Sequence, residues 1–426
     1  FQAEDGIRDR SPSRGLGDVY KRQVLASFLS QMMNSGTGSY ALGFFIVPMG
    51  EELEISRKQF SLIPLFKLVT IPILPVLGMM VDRKYGARLI VTIGTLSGGL
   101  ALVLTSQINT VWQFYIIYGI LYGLATSAMG AQLIGPSLIS KWFITMRGRA
   151  MAIGTMGISA GGVVIAPLAG VTVSMLGWRA SWIVLGIVAI VSIVPVASLF
   201  IRRSPEDIGL LPDGVDKEKS ISGPTLIKEA RSWTLKQVIK TKTFWILTVV
   251  QSLGLCGLVS VLFHEIPYIQ DKGFTTGSAA IVATSLAASA MISKLPFGYL
   301  SDKFDIRFVL AICFIPAGIS TILILPSSSL ITLIGWGIFH GFFMGGFPTI
   351  TGVAFPAYFG RQHLGSIRGA LSPITMIVSA SSPLIGGLLW SNKYSYSIPF
   401  VVFGLAWIIG GLLPLLLKSP ADHENL

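Results

Sequence analysis

Residues 78–88, GMMVDRKYGAR, and residues 298–307, GYLSDKFDIR, carry one pattern twice, 220 residues apart. Each copy runs from a glycine through three uncharged residues to an aspartate and a cation: Gly78 to Asp82-Arg83, and Gly298 to Asp302-Lys303. An apolar run that stops at such a charged pair reads as a helix leaving hydrocarbon for a charged membrane surface. Outward from these stretches the echo continues in the same order. Gly119-Ile-Leu-Tyr-Gly123 recurs as Gly337-Ile-Phe-His-Gly341, Trp142-Phe143 as Tyr358-Phe359, and Pro167-Leu-Ala-Gly170 as Pro383-Leu-Ile-Gly386, at offsets of 216–218. Any single match is weak, but an ordered set implies two halves of the same orientation, one recognised plan for secondary transporters.

The spans between these landmarks fit that plan. A hydrocarbon core of about 30 Å needs about 20 apolar residues per helix. The sequence predicts six spans near 24–49, 59–81, 87–106, 111–138, 148–174 and 178–200. Six more follow near 243–269, 276–300, 307–326, 329–356, 365–390 and 396–417. The fold class is therefore an all-α membrane protein of twelve transmembrane helices in two pseudo-symmetric six-helix halves, 24–200 and 243–418. A polar central loop, 201–242, joins them and a short tail, 419–426, follows. Composition agrees: of 426 residues, 52% are hydrophobic and 12% charged, against about 25% charged in soluble domains. A soluble enzyme is excluded.

The formal charge of +12 would suggest nucleic acid in a soluble protein, but here the cations lie in loops. Loops on one side hold 19 lysines and arginines, nine of them in the central loop, and loops on the other side hold 5. The positive-inside rule makes the first side cytoplasmic, which puts both termini there and the chain in the cell membrane, with the lipid bilayer as its solvent. Within the central loop, RRSPEDIGLLPDG reads as irregular chain, and residues 225–242, TLIKEARSWTLKQVIKTK, have the spacing of a basic amphipathic surface helix. Residues 1–23 carry nine charges, no helical or strand period and no signal-peptide pattern. They look like a translated sequencing adapter, a non-native tail, and no function is built on them.

Several chemistries lack their residues. There is no G-x-x-x-x-G-K-[ST] phosphate loop, no paired catalytic acids, and neither the four histidines nor Cys256 and Cys313 have metal-ligand spacing. No cofactor, no metal and no nucleic-acid partner is expected.

At these motifs the chain resembles the major facilitator superfamily over about 24–418. The match to that family's helix 2–3 signature uses Gly78, Asp82, Arg83, Gly86 and Arg88, with one extra residue between Asp82 and Gly86. The second copy keeps Gly298, Asp302, Lys303 and Arg307 but has Asp305 in the usual glycine place. Further features are similar to the monocarboxylate transporters and oxalate:formate antiporters: WFITMRGRAMAIG at helices 4–5, Gly177-Trp-Arg, RRSPEDIGLLPDG and HEIPYIQDKGF. The resemblance implies a monomeric carrier of a small organic anion, a monocarboxylate or dicarboxylate, working by alternating access with proton symport or anion exchange. An efflux or uptake pump for neutral or cationic compounds is the alternative of the same fold, and a membrane-embedded enzyme the alternative of another class.

Charged residues inside spans are rare and functional by default. Lys294 lies eight residues before Asp302, about 12 Å into the membrane, and its neighbours AASAMISKLPFG hold no acid. The missing counter-ion is then the substrate's carboxylate, or else the lysine bonds helix carbonyls or another helix. The resemblance adds that monocarboxylate transporters carry a substrate-binding arginine at this place, four residues before the helix 8 glycine. Lys67 either lines the cavity or snorkels outward. Glu265 and His264 are proton-coupling candidates, with an interfacial carboxylate as the other reading of Glu265. His340 falls at the repeat position of Tyr122. The family's cavity is lined by helices 1, 4, 7 and 10, which makes both substrate-binding candidates, although an isolated histidine also often bonds a neighbouring helix. Gln132, Asn34 and Gln251 are further polar candidates. Coupling stays open: the acidic residue of the monocarboxylate transporters' helix 8 is Ala290 here, and their helix 1 lysine falls near Ser39.

The loop charges Asp82, Arg83, Arg88, Asp302, Lys303 and Arg307 read as gating residues, each aspartate pairing with its neighbouring cation or with the N-terminus of a facing helix. Gly157, Gly161, Gly162 and Gly170 read as close helix packing.

Overall fold

The computed structural model describes residues 12–55, 59–60, 62–129, 133–214, 232–389 and 396–418, and every regular element among them is helical. We number the spans α1–α12. α1 comprises Pro12–Ser35, a π turn Gly36–Tyr40 and Gly43–Leu53; α2 comprises Ile63–Lys67, the 3-10 turn Leu68–Thr70 and Ile73–Val81, with a bend of 55°. α3 is Gly86–Thr105, and α4 runs as Val111–Phe114, the π stretch Tyr115–Leu121, Tyr122–Met129 and Ile134–Trp142. α5 starts as Arg147–Ala160, passes a π turn Gly161–Ile165 and reaches residue 176, and α6 covers 178–200. α7 is Lys242–Asp271, α8 Thr276–Lys303, α9 Ile306–Leu323, α10 Leu330–Phe359, α11 Leu364–Leu389 and α12 Ser397–Leu412.

Nine described helices are long and apolar enough to cross a membrane, and the bent α2 pair makes a tenth. The helical run 147–200 is two spans, because Gly177 sits at φ 81°, ψ 166° and reverses the chain there. A side chain is strained at that φ, so glycine is what lets α5 turn into α6. With α1 the count is twelve. α1 begins at Pro12, upstream of the switch at Val24 read from composition: Tyr20 and Gln23 are buried and donate to the Leu211 and Phe200 carbonyls. Of the surface helix expected over 225–242, the part up to 231 lies outside the described residues. The rest is a single capped turn, Leu235–Val238, before α7 begins.

The duplication is visible in matched contacts. Trp142 Nε1 donates to the Arg202 carbonyl (3.1 Å), and Tyr358 OH to the Lys418 carbonyl (3.0 Å), each pair 60 residues apart in sequence. A side chain on Gly99 or Gly186 would strike the other's backbone, and the same holds for Gly318 and Gly404 in the second half. The four α5 glycines expected to pack closely all meet α1: Gly157 lies against Phe28, Gly161 against Met32, and Gly162 and Gly170 against the rings of Tyr40 and Phe44. The apolar interior divides likewise. One cluster is confined to the first half, around Trp182, Tyr118 and Phe45. The other centres on Phe314, Phe347 and Trp407 and reaches across to Trp142 and Met151. Large apolar residues cover the outer surface, with Ile331 82% and Leu388 86% exposed. Hydrocarbon contact accounts for a surface that would be a liability in water.

Candidate substrate site and gate

The halves meet along two helix pairs, α2 with α11 and α5 with α8. Each seam is sealed at the basic face by one of the paired aspartates. The Asp82 carboxylate, at the end of α2, accepts from Gly365 N (3.1 Å), Ser366 N (2.8 Å) and Ser366 Oγ (2.7 Å) at the start of α11. The Asp302 carboxylate, at the end of α8, accepts from Gly148 N (2.5 Å), Arg149 N (3.2 Å) and Arg149 Nε (3.0 Å) at the start of α5. Both satisfy orphan N–H groups and sit at the positive end of a helix dipole.

The cations on these carboxylates are not the adjacent ones. Lys141, buried at the end of α4, donates to Asp82 Oδ1 at 2.7 Å, and Arg149 pairs with Asp302. Arg83 and Lys303 are exposed and Arg88 half-buried, with no ion pair among the described residues. Arg307 pairs with Asp305 and donates to the Leu417 carbonyl (2.6 Å), which ties α9 to the end of α12 inside one half. A third bridge comes from the central loop. Arg361 donates to Glu206 (2.5 Å) and, through its other nitrogen, to the Lys141 carbonyl (2.7 Å). Burial works to raise the Glu206 carboxyl, but its hydrogen bonds from Arg361 and from the backbone outweigh that and hold it below the ordinary carboxylate value.

Above this zipper, Thr155 and Thr349 share a hydroxyl bond of 2.7 Å between α5 and α10. Higher still lie the bond from Thr70 to Met376 and that of Lys294. Lys294 is 2% exposed; its Nζ donates to Ser159 Oγ (3.0 Å) on α5 and to the Ala290 carbonyl (2.9 Å) one turn back on α8. Both acceptors are neutral, and Lys294 has no ion pair among the described residues. The ammonium therefore stands on the seam between the halves with its hydrogen bonds partly met and its charge uncompensated.

A second group gathers where the π segments of α1 and α4 touch. Tyr118 OH donates to the Thr37 carbonyl (2.9 Å), and Tyr122 OH bonds the Thr37 hydroxyl while its ring stacks on Tyr118. Half-buried Lys67 approaches the Gly38 carbonyl (3.4 Å) and lies 5.6 Å from the Tyr118 ring centroid. π turns leave backbone groups off the helical ladder and often mark functional positions. Asn34 is spent on the Thr126 carbonyl (2.7 Å), Gln251 is buried with its Oε1 unpartnered among the described residues, and Gln132 lies outside them.

The histidines face neighbouring helices. His340, fully buried, bonds Ser320 Oγ on α9 through Nδ1 (2.7 Å) and stacks on Trp336, leaving Nε2 without a partner among the described residues. His264 donates to the Pro383 carbonyl on α11 (3.0 Å) and packs on Gly386, where Phe44 packs on Gly170 in the first half. Glu265 is 3% exposed, and its Oε2 has no hydrogen-bond partner among the described residues. It is buried rather than interfacial, and it interacts electrostatically with Tyr40 of α1, across the halves. The residues missed from sequence are Ser159, Lys141 and Arg149. The first is an ordinary serine in a glycine-rich run, and the two cations carry no local mark that separates them from other loop cations.

A duplicated bundle of membrane helices, zipped at one face below a buried lysine that has no ion pair among the described residues, defines a polytopic membrane transporter. The sequence matches the profile of the Major Facilitator Superfamily over residues 25–291 and 255–426, and the chain belongs to that family. It is similar to Monocarboxylate transporter 12-B of Danio rerio, 24% identical over 357 residues covering 79% of this chain and 74% of that protein. It is also similar to the MFS-type transporter YcxA of Bacillus subtilis, 25% identical over 406 residues, 92% and 94% of the two chains. Among solved structures, the proton:xylose symporter XylE superposes with a TM-score of 0.74 at 12% identity, over 95% of this chain and 97% of that one. The transporter FucP in the outward conformation gives 0.69 at 12% identity, over 92% and 97%. The protein is thus a multi-pass membrane transporter for a small molecule, and not an enzyme.

Proposed function

We propose that the chain carries a small organic anion, a monocarboxylate or dicarboxylate, by alternating access, with Lys294 as the group that neutralises it. One observation carries this reading: a 2%-exposed ammonium on the seam between the halves, bonded among the described residues only to a hydroxyl and a carbonyl. Burying a charge without a counter-ion costs several kcal/mol, and a carboxylate arriving between α5 and α8 removes that cost. Similarity to proteins named monocarboxylate transporters supports the same class. Lys67, with Tyr118 and Tyr122, is a second polar wall of the passage, and His340 a buried support behind α10. The basic face is the cytoplasmic one, so the two capped seams close the cytoplasmic side and the described arrangement is outward-facing. The six-helix halves 24–200 and 243–418 rock about the substrate in a monomer in the cell membrane, with both termini cytoplasmic.

Glu265 favours proton symport over pure exchange, since a buried carboxylic acid needs no counter-ion and the carboxylate does. The same residue supports a second reading, a pump for cationic or neutral compounds. Uptake of labelled lactate, pyruvate, formate and oxalate into proteoliposomes, against an organic cation and with or without a proton gradient, separates the two. Anion uptake that falls at least tenfold in Lys294→Gln and is partly kept in Lys294→Arg supports the anion reading. Wild-type anion uptake by Lys294→Gln overturns it.

A further inference from the structure

The lipid-facing groove between α2, α3 and α4 has a chemistry of its own, separate from the transport path. It encloses about 490 Å³, within the ~300–1,000 Å³ of ordinary ligand sites. Gly94, Ala101, Ala125 and Ala128 give it a low floor, and Ile73, Leu89, Ile93 and Leu100 form its walls. The floor is low because α3 and α4 approach closely: a Cβ on Gly94 would fall 2.6 Å from that of Ala128. Ser97 is its one hydroxyl, and that is spent on the Gly94 carbonyl at 3.1 Å. Nothing inside recognises a polar molecule, so the part of an occupant that lies there is hydrocarbon. From Leu89 to Leu100 the wall runs about 16 Å, close to half of the ~30 Å core and so to one leaflet.

The end of the groove at the basic face is different. Met80 and Leu89 border the α2–α3 loop, where Arg83 and Lys84, and Arg88 in the first turn of α3, have no ion pair among the described residues. The loop's single acid, Asp82, is turned inward onto Lys141 and α11. A leaflet-deep hydrocarbon slot that ends under three uncompensated cations matches an amphiphile with a negative head. We infer that this groove is a binding site for an anionic phospholipid, its acyl chain between α2, α3 and α4 and its phosphate on Arg83, Lys84 and Arg88.

The test is native mass spectrometry of the full chain in detergent, titrated with phosphatidylglycerol and, separately, phosphatidylcholine. Each lipid is titrated against wild type, the triple variant Arg83→Gln/Lys84→Gln/Arg88→Gln, and Ser97→Phe, which fills the groove from an exposed position. The wild type retains one phosphatidylglycerol. The triple variant weakens that binding roughly fivefold per charge, about a hundredfold in all, and brings it to the phosphatidylcholine level. Ser97→Phe weakens both lipids at least tenfold. Thermal unfolding of each variant shows that the fold is kept; the two variants act through different atoms, so one misfolding leaves the other decisive. Equal retention of the two lipids by wild type, phosphatidylglycerol binding untouched by Ser97→Phe, or a dimer mass that Ser97→Phe abolishes would each overturn the assignment, the last in favour of a second copy of the chain.

Discussion

Asp302→Ala isolates the energy of one seam. All three described bonds of this carboxylate cross from α8 to α5, to Gly148 N, Arg149 N and Arg149 Nε. A contact made only when the basic face is closed shifts the open–closed equilibrium by its full value. Losing an N-cap acceptor costs about 0.5–2 kcal/mol, and losing a negative charge at a helix N-terminus about 0.3–1 kcal/mol. The Arg149 side chain is 49% exposed, so its ion pair is screened and adds about 0–1 kcal/mol. The sum, about 1–4 kcal/mol, corresponds to roughly a 5–700-fold shift toward an open basic face. The readout belongs on the other seam, where local damage at α8 has no reach. Val81 is fully buried there, next to Gly365. With the native thiols removed by Cys256→Ala and Cys313→Ala, the alkylation rate of Val81→Cys reports opening of α2 from α11. Asp302→Ala should raise that rate at least fivefold. A rate within twofold of the parent, with faster labelling only beside position 302, would mean that the cap holds a helix end and not the gate.

Three further outcomes follow from the same geometry. Gly298→Ala places a Cβ 2.6 Å from the Gly148 carbonyl oxygen and 2.7 Å from Ala152 Cβ, so the α5–α8 seam cannot close; overpacking of about 1–3 kcal/mol should lower the melting temperature and speed labelling at Val81→Cys together. Glu206 titrates below its ordinary value when bonded to Arg361, so its contribution is complete above the unfolded-state value and is lost as pH falls through the lower, folded one. Thermal melts between pH 6 and 3 should therefore show a steeper acid loss in wild type than in Glu206→Gln, and parallel curves would refute the bridge. Glu265→Gln should keep exchange of internal for external anion while losing uptake driven by an inward proton gradient; equal loss of both would assign Glu265 to folding or substrate binding and not to coupling.

The twelve spans were legible because each is an apolar run bounded by charge or by a short polar turn such as Ser106–Thr110, and the family because its glycine–aspartate pattern is local. Where reasoning needed partners far apart in sequence, it stopped. The sequence left Asp82 between its neighbour Arg83 and a facing helix dipole; the fold gives it α11 together with Lys141, and nothing in Ser140-Lys141-Trp142 sets that lysine apart. The histidines show the same limit: spacing places His340 on a cavity-lining helix, but only the angular position of the side chain turns it to Ser320 of α9. The π segments of α1 and α4 have no sequence signature here, since helical period continues through them, yet they bring Thr37 and Tyr118 together beside Lys67 of α2.

The spacing inside the repeated motif has its own explanation. Glycine and aspartate are four residues apart, so they lie on one helix face about 6 Å along the axis. In the first seam the glycine, Gly78, and the aspartate, Asp82, both meet Gly365; in the second, Gly298 and Asp302 both meet Gly148. The partner must also be glycine: a Cβ on Gly365 would lie 2.9 Å from Asp82 Oδ1, and one on Gly148 2.9 Å from Asp302 Oδ1. The glycine lets two backbones touch, and that contact brings the carboxylate within reach of the helix N-terminus one turn later. Glycine without aspartate would pack the seam and leave the helix start unpaired, while aspartate without glycine would be held away from it by a side chain. The two residue types therefore recur together because each is useful only where the other stands, and the chain carries the set twice because it has two seams to close.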